Sequence, residues 1–313
     1  MENNNKKYSA VITGVGMYVP EKVLDNKYFE SILETNDEWI MTRTGIKERR
    51  ICENGATSDM ATIAAKEILK SANAKPEEID AIIIATITPD MFFPNTASLV
   101  QHNIGASNAW GFDLSAACSG FLFALQTGTA FIESGKYKKV MVIGADKMSA
   151  ITDYTDRNTC ILFGDGAAGV LLEPSENLNE GVIDTILHND GVGKETLYIK
   201  GGGSLYPASH ETIDKRLHYM YQDGKAVFKV AVKAMADVAV EIMNKHNLTA
   251  DDVSYLIPHQ ANLRIIDATA QRMGVGKEKV TINIDKYGNT TAATIPLCIT
   301  EYYNSGKIKK GDK

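Results

Sequence analysis

Short apolar runs rich in β-branched residues alternate along the chain with longer stretches whose apolar positions recur at helical spacing. Residues 8–16, 79–87, 109–114, 139–146 and 159–172 are of the first kind and predict strands, several of them buried on both faces. Residues 58–71, 96–104 and 121–133 are of the second kind and predict helices, the first capped by Ser58 or Thr57. The rhythm returns later, with strands predicted over 183–188, 253–257 and 280–283. Helices are predicted over 225–247, 263–272 and from the Gly288-Asn289-Thr290-Thr291-Ala292-Ala293 turn to about residue 304. Alternating strand and helix predict an α/β fold. Residues 189–224 break the pattern, and Gly191-Val192-Gly193 and Gly201-Gly202-Gly203-Ser204 predict a mobile or ligand-facing loop.

One junction in this pattern carries candidate chemistry. The strand Ala109-Trp110-Gly111-Phe112-Asp113-Leu114 passes through Ser115-Ala116-Ala117-Cys118-Ser119-Gly120 into the apolar helix opened by Phe121. Small residues around Cys118 allow a sharp turn and place one thiol at a helix start, where unpaired N–H groups favour negative charge. Such a site lowers a cysteine pKa, and the thiolate is the nucleophile. A cysteine in an arbitrary setting is more often a small buried hydrophobe. The strand–turn–helix setting favours the nucleophile.

An internal repeat brings two more residues to the same place. Glu77-Glu78-Ile79-Asp80-Ala81-Ile82-Ile83 echoes Asp251-Asp252-Val253-Ser254-Tyr255-Leu256-Ile257, and Ser134-Gly135-Lys136 echoes Ser305-Gly306-Lys307. Cys118 lies 16 residues before Ser134, and Asn289 lies 16 residues before Ser305. The two halves read as copies of one βαβ-rich unit, with Cys118 and Asn289 at equivalent positions. His259 follows the second-half strand at its C-terminal end, where open α/β sheets place ligands. Taken singly, His259 reads as a packed loop histidine and Asn289 as a helix N-cap. Taken together with Cys118, they supply an imidazole N–H and an amide N–H₂ suited to an oxygen gaining negative charge.

Composition narrows the partners. The chain has 313 residues, 44% hydrophobic and 23% charged, ample for a large core. Its four cysteines (52, 118, 160 and 298) lie far apart with no CxxC pair, which fits a reduced cytoplasm. The leader Met1-Glu2-Asn3-Asn4-Asn5-Lys6-Lys7 is polar, and no apolar run approaches a membrane span. A net charge of −6 argues against non-specific nucleic-acid binding but leaves room for a local basic patch. Gly14-Val15-Gly16 starts a dinucleotide fingerprint that fails at Val19, and the triple glycine lacks the Lys-Ser/Thr of a phosphate loop. Trp39 and Arg43 could form a stacking surface or an ordinary surface cation–π pair.

From about residue 11 to residue 313 the chain resembles the β-ketoacyl-[acyl carrier protein] synthase III family. The matching motifs are Asp37-Glu38-Trp39-Ile40 with Arg43-Thr44-Gly45-Ile46, Ala116-Ala117-Cys118-Ser119-Gly120, Thr155-Asp156-Arg157, Phe163-Gly164-Asp165-Gly166-Ala167, Pro258-His259-Gln260-Ala261-Asn262 and Gly288-Asn289-Thr290. The Cys-His-Asn set separates this branch from the elongating condensing enzymes, which use two histidines. The resemblance implies a thiolase-like α/β fold of two pseudo-symmetric halves, residues 1–174 and 175–313, in α-β-α-β-α layers. It implies a ping-pong condensation that initiates fatty-acid synthesis in the cytoplasm. Cys118 takes the acyl group from a short acyl-CoA, and His259 and Asn289 hold the enolate formed as malonyl-acyl carrier protein loses CO₂. It also implies that Thr35, Trp39, Arg43, Arg157, Phe163, Phe228 and Asn262 bind CoA or its pantetheine arm, with Trp39 and Arg157 on either side of the adenine. Phe93 would reach the acyl pocket of the partner subunit in a homodimer, and Lys229, Arg264 and Arg272 would meet the acidic carrier protein. No metal or resident cofactor is implied, because CoA and the carrier's phosphopantetheine are substrates.

One departure sets a further expectation. The family continues past the last helix into a β-hairpin with a Gly-rich turn, whereas this sequence stops at Lys313. In the first half Ser134-Gly135-Lys136-Tyr137-Lys138-Lys139 leads straight into the strand Val140-Met141-Val142-Ile143, which has no counterpart in the second copy. The expectation is a second-half sheet short of its closing strands, poor solubility and at best weak activity. A non-catalytic CoA- or carrier-protein-binding relative is therefore one alternative. A condensing enzyme of specialised metabolism with the same three residues is another.

Overall fold

The structure is a computed structural model that describes residues 7–313, so the first six residues of the polar leader lie outside it. In chain order the strands are β1 (Ser9–Tyr18), β2 (Lys22–Asp25), β3 (Glu48–Ile51), β4 (Ala81–Ala85), β5 (Trp110–Leu114), β6 (Val140–Asp146), β7 (Gly166–Ser175), β8 (Leu197–Tyr198) and β9 (Tyr221–Gln222). The helices are α1 (Asn26–Ile32), α2 (Asp37–Thr44), α3 (Thr57–Ala72), α4 (Thr96–Ile104), α5 (Gly120–Glu133), α6 (His210–Asp214), α7 (Gly224–Lys245), α8 (Leu263–Met273), α9 (Ile284–Tyr287) and α10 (Thr294–Asn304).

Five strands form a mixed sheet in the order β1-β7-β6-β4-β5. β4 runs parallel to β5 and β6, whereas β7 is antiparallel to β6 and to β1. Every residue of β4 and β6 is buried, because helices cover both faces. Ile82, Ile84, Met141 and Ile143 pack against α3 and α4. Their neighbours Ala81, Ile83, Val140 and Val142 pack against Phe121 and Ala124 of α5 and Ile295 of α10. Complete burial of Ile82, Ile83 and Ile84 contributes about 1.5–3 kcal/mol per side chain. At the far end of β5, the Asp113 carboxylate accepts the N–H groups of Thr96 and Ala97, fixing that strand to the start of α4.

The repeat is visible in the backbone. α5 and α10 end at the matched residues Glu133 and Asn304, capped by Ser134 and Ser305. Each is followed by a left-handed glycine, Gly135 at φ 72° and Gly306 at φ 70°.

Three expectations need correction. The first residue ahead of α3 is Ala56, whose N–H is held by Asp59, while Thr57 and Ser58 lie inside the helix and bond Thr88 and Asp90. The strand expected over 159–172 begins only at Gly166, because the N–H groups of Thr159 and Cys160 both turn back to the Asp156 carbonyl. The second-half strands over 183–188, 253–257 and 280–283 do not form among the described residues. What remains is a parallel bridge between Leu256 and Val280, while the N–H groups of Ser254 and Tyr255 go to the Lys313 carbonyl. Residues 183–188 are held by side chains instead, Thr185 to Gln126 and Asp184 to Lys245 and His246. The layer order survives: Leu256 and Val280 lie against Ile266 and Ala270 of α8, while Ile257 packs on the core that contains α5.

Candidate active site

Cys118 sits in a single 3₁₀ turn, Ala117–Ser119, between β5 and α5. Ala117 has a φ of 46°, a left-handed conformation that costs a residue with a Cβ on the order of 1 kcal/mol. The turn it makes directs Cys118 into a cavity. The expected lowering of the thiol pKa is not found. Burial pushes the Cys118 thiol up to about 12, and the Asp146 carboxylate adds to the rise, outweighing the bond to its own backbone N–H. The thiol is therefore protonated at neutral pH. Its alkylation by iodoacetamide should climb about tenfold per pH unit from roughly pH 7 to pH 10. A plateau below about pH 9 would mean that the resting site does hold a thiolate.

Asp146, not among the candidate residues named above, ends β6 directly beneath this site. It is fully buried and accepts bonds from the Thr86 and Thr88 hydroxyls, the Ile87 N–H and, at 3.2 Å, the Ala292 N–H. Desolvation raises it to about 6 in spite of those bonds. It ties the first-half sheet to the second-half turn. Gly144 permits that approach, since an added Cβ would lie 2.2 Å from the Ala292 carbonyl. A carboxylate closing an otherwise apolar strand was the signal available in the sequence.

Asn289 is placed by a crossing of the two halves. Its N–H donates to the Leu162 carbonyl at 2.9 Å and its own carbonyl accepts Gly164 N–H at 3.1 Å, forming a parallel bridge with Phe163. Gly288 precedes it at φ 63°, and a Cβ there would meet the Leu162 carbonyl at 2.8 Å. Asn289 is not a helix N-cap, because α10 begins at Thr294. Its Oδ1 accepts the Thr291 N–H at 2.9 Å, an Asx turn that leaves Nδ2 as the donor toward the cavity.

His259 is fixed through Gln260, a buried residue that the sequence reading did not single out. Gln260 donates to the carbonyls of Pro258 and Thr281 and accepts the N–H groups of Asn283 and Ile284, pinning the loop. His259 Nδ1 meets Thr294 Oγ1 at 2.6 Å. Burial lowers the imidazole pKa to about 4, so it is neutral at physiological pH. Its Nε2 has no protein partner among the described residues.

Cys118, His259 and Asn289 line one cavity of about 910 Å³. Phe163, Phe228 and Asn262 line it too. Asn262 also bridges two elements, donating to the Arg43 carbonyl at 2.8 Å and capping α8 through the Arg264 N–H. Thr35, Trp39, Arg43 and Arg157 stand apart from the cavity wall. There Arg157 and Arg43 lie 4.9 and 5.8 Å from the Trp39 ring. Phe93 is 84% exposed and does not enter this chain's own cavity. Of the three expected carrier-protein cations, all exposed, Arg264 stacks on Phe228 at 4.9 Å and Arg272 pairs with Asp237. Lys229 projects from the first turns of α7. Asp165 of the Phe163-Gly164-Asp165-Gly166 motif has a structural task, accepting Cys52 N–H, Ser149 N–H and the Ser149 hydroxyl.

A cysteine, a neutral histidine and an asparagine on one cavity wall, carried by a mixed sheet between helix layers, define a thiolase-type acyltransferase. Family models of 3-oxoacyl-[acyl-carrier-protein] synthase III match residues 112–191 and, for its C-terminal part, 243–313. The β-ketoacyl-[acyl-carrier-protein] synthase III of Chlorobaculum tepidum is 60% identical over 96% of this chain and 93% of its own length. The crystal structure of 3-oxoacyl-[acyl-carrier-protein] synthase III from Aquifex aeolicus superposes with a TM-score of 0.89 at 46% identity, covering 97% of this chain and 93% of that one. A priming β-ketosynthase from a polyketide biosynthetic pathway superposes nearly as well, TM-score 0.88, at 32% identity over 98% of this chain and 91% of that one. The chain belongs to the β-ketoacyl-[acyl-carrier-protein] synthase III family.

Proposed function

We propose that the chain catalyses the decarboxylative condensation of a short acyl-CoA with malonyl-acyl carrier protein, priming type II fatty-acid synthesis. The convergence of Cys118, His259 and Asn289 on one cavity carries this reading. In the first half-reaction Cys118 Sγ attacks the thioester carbonyl, CoA leaves with the thiol proton, and an acyl-enzyme remains. In the second, malonyl-carrier protein loses CO₂, and the enolate oxygen is held by donors from His259 and Asn289 Nδ2 while its carbon attacks the acyl group. The product is 3-oxoacyl-carrier protein, and Cys118 is regenerated. No resident cofactor takes part.

Phe163, Phe228 and Asn262 guide the pantetheine arm along the cavity. The Trp39–Arg157 stack opens to admit the adenine, with Thr35 and Arg43 beside it. The two halves, 1–174 and 175–313, each contribute to the reacting centre. A homodimer is supported by β5, which lies at the edge of the sheet with Trp110 exposed, and by Phe92 and Phe93, more than four-fifths exposed on the neighbouring loop. There Phe93 would complete the partner's acyl pocket. No helix among the described residues is long and apolar enough to cross a membrane, in keeping with work in the cytoplasm. The identities favour fatty-acid priming over a polyketide role, 60% against 32%.

Lys229, Arg264 and Arg272 form the docking face for the acidic carrier. Reversing their charge should weaken use of malonyl-carrier protein, with an effect that shrinks at high salt, while transfer from acyl-CoA to Cys118 changes little. Equal losses with both substrates would instead place these cations on the shared tunnel. The reading as a whole is tested by supplying acetyl-CoA and other acyl-CoAs with malonyl-carrier protein and following 3-oxoacyl-carrier protein. Product from short primers is expected, and condensation confined to long fatty acyl-CoAs would contradict it.

A further inference from the structure

The loop that carries Arg157 is joined to residues 216–220 at two places. At the inner end the Met220 N–H donates to the Ile151 carbonyl at 2.9 Å, and Met220 packs with Met148 and Phe163 in a buried cluster. At the outer end Arg216 closes on Asp153 through two bonds, Nε to Oδ2 at 3.0 Å and Nη2 to Oδ1 at 2.5 Å, the forked geometry that suits a guanidinium. The same Oδ1 accepts the Thr155 N–H at 2.9 Å and the Thr155 hydroxyl at 2.6 Å, so one carboxylate both meets Arg216 and shapes the turn that leads to Arg157. Burial would raise the Asp153 carboxyl, but the bonds from Arg216 and Thr155 outweigh it and hold the group below its ordinary value. Arg216 stands just past Lys215, the C-cap of α6, at φ 55°, a left-handed position where glycine is the ordinary choice. Its guanidinium also lies 4.6 Å from the Tyr219 ring. The arginine is half exposed, and such pairs add little to stability. What this one fixes is position.

We propose that Arg216 and Asp153 are positioning residues, a clip that anchors the root of the Arg157 loop so that Arg157 meets the nucleotide end of CoA from a fixed base. This rests on the reading above that Trp39 and Arg157 receive the adenine. Arg157 lies 4.9 Å from the Trp39 ring and must swing off it before an adenine enters between them. A side chain that swings keeps its aim only where its backbone is held. Asp156 bonds its near neighbours Asn158 and Thr159, which shapes the loop without tying it to anything distant. Among the described residues, Arg216 alone brings hydrogen bonds to residues 153–157 from elsewhere in the chain. The nucleotide is also what distinguishes acyl-CoA from a carrier-protein thioester, since both offer the same pantetheine arm. The clip therefore acts on binding in the first half-reaction and is silent in the second.

The test follows acetylation of Cys118 in single turnovers of the full chain, at graded concentrations of acetyl-CoA and of S-acetyl-pantetheine, which lacks the nucleotide. Arg216→Gly removes the clip at a position that suits glycine, so its melting temperature should not fall. Its half-saturating acetyl-CoA concentration should rise about threefold to fivefold, the scale of an exposed charge pair, at an unchanged limiting rate. Saturation by S-acetyl-pantetheine should stay as in wild type. Asp153→Asn keeps an acceptor for Thr155 but loses the charge, and should shift acetyl-CoA in the same direction. The double variant should lose no more than the weaker of the two single variants, because both remove one interaction. Unchanged acetyl-CoA saturation in Arg216→Gly, or equal losses with both thioesters, would overturn the clip. If Arg216→Gly does not fold, Asp153→Asn decides on the same two readouts. Arg157→Ala separates the clip from the reading beneath it. A loss confined to acetyl-CoA in Arg157→Ala, with none in Arg216→Gly, removes the clip alone. No loss in Arg157→Ala removes the adenine site and the clip with it.

Discussion

Replacing Cys118 with Ala is expected to abolish 3-oxoacyl-carrier protein formation, because no other thiol can take over. Cys52, Cys160 and Cys298 are all buried, and burial pushes Cys160 and Cys298 up to about 12. None of them lines the cavity. The substitution removes one sulfur from a half-buried turn without disturbing the sheet, so the far-UV circular dichroism spectrum should match wild type. Decarboxylation of malonyl-carrier protein should persist, since its donors are untouched. An acyl group recovered on any of the other three cysteines would show that the nucleophile is misassigned.

Nearly as large an effect is expected at the two donors. His259→Ala or Asn289→Ala should each slow decarboxylation by about 10²–10³-fold, corresponding to about 2.7–4 kcal/mol of transition-state stabilisation. Asn289 Oδ1 is already committed to Thr291 N–H, so its remaining function is donation from Nδ2. Asn289→Asp should be as damaging as Ala, because it replaces that donor with an acceptor. The pH dependence has a definite sign. His259 has its pKa lowered to about 4, so it stays neutral as pH falls through the usual histidine range near 6.5 and gains a proton only around 4. Decarboxylation measured from pH 8 to pH 5 should therefore show no acid limb due to His259. A limb centred near 6.5 that disappears in His259→Ala would mean that the imidazole is solvated.

Much of this arrangement is legible in the sequence. Apolar runs buried on both faces identify strands without tertiary information, and β4 and β6 lie within a few residues of their expected places. The matched spacing of Cys118 and Asn289 from two Ser-Gly-Lys sequences agrees with their meeting on one cavity, because each lies in the turn that leads into a helix with a matched end, α5 or α10. Long-range effects were not legible. The second-half strands look like strands in composition, but a strand exists only where a neighbour completes its ladder, and residues 253–257 find one bridge. The thiol pKa follows from burial and from Asp146, a residue 28 positions away in sequence, so the local helix-start signal pointed in the wrong direction. The roles of Gln260 and Thr294 are not legible in the sequence, because they lie in the hydrogen bonds that hold His259 and its loop, which no spacing rule encodes.

The central claim is that Cys118 carries the growing chain covalently between two substrates. Incubating the wild-type protein with acetyl-CoA, removing the CoA and measuring intact and peptide mass tests it most directly, followed by a chase with malonyl-carrier protein. The account predicts one acetyl group on the peptide containing Cys118, lost on the chase as 3-oxobutyryl-carrier protein appears. A protein that binds acetyl-CoA but never gains that mass, or an acetyl-enzyme that the chase leaves intact, would contradict it.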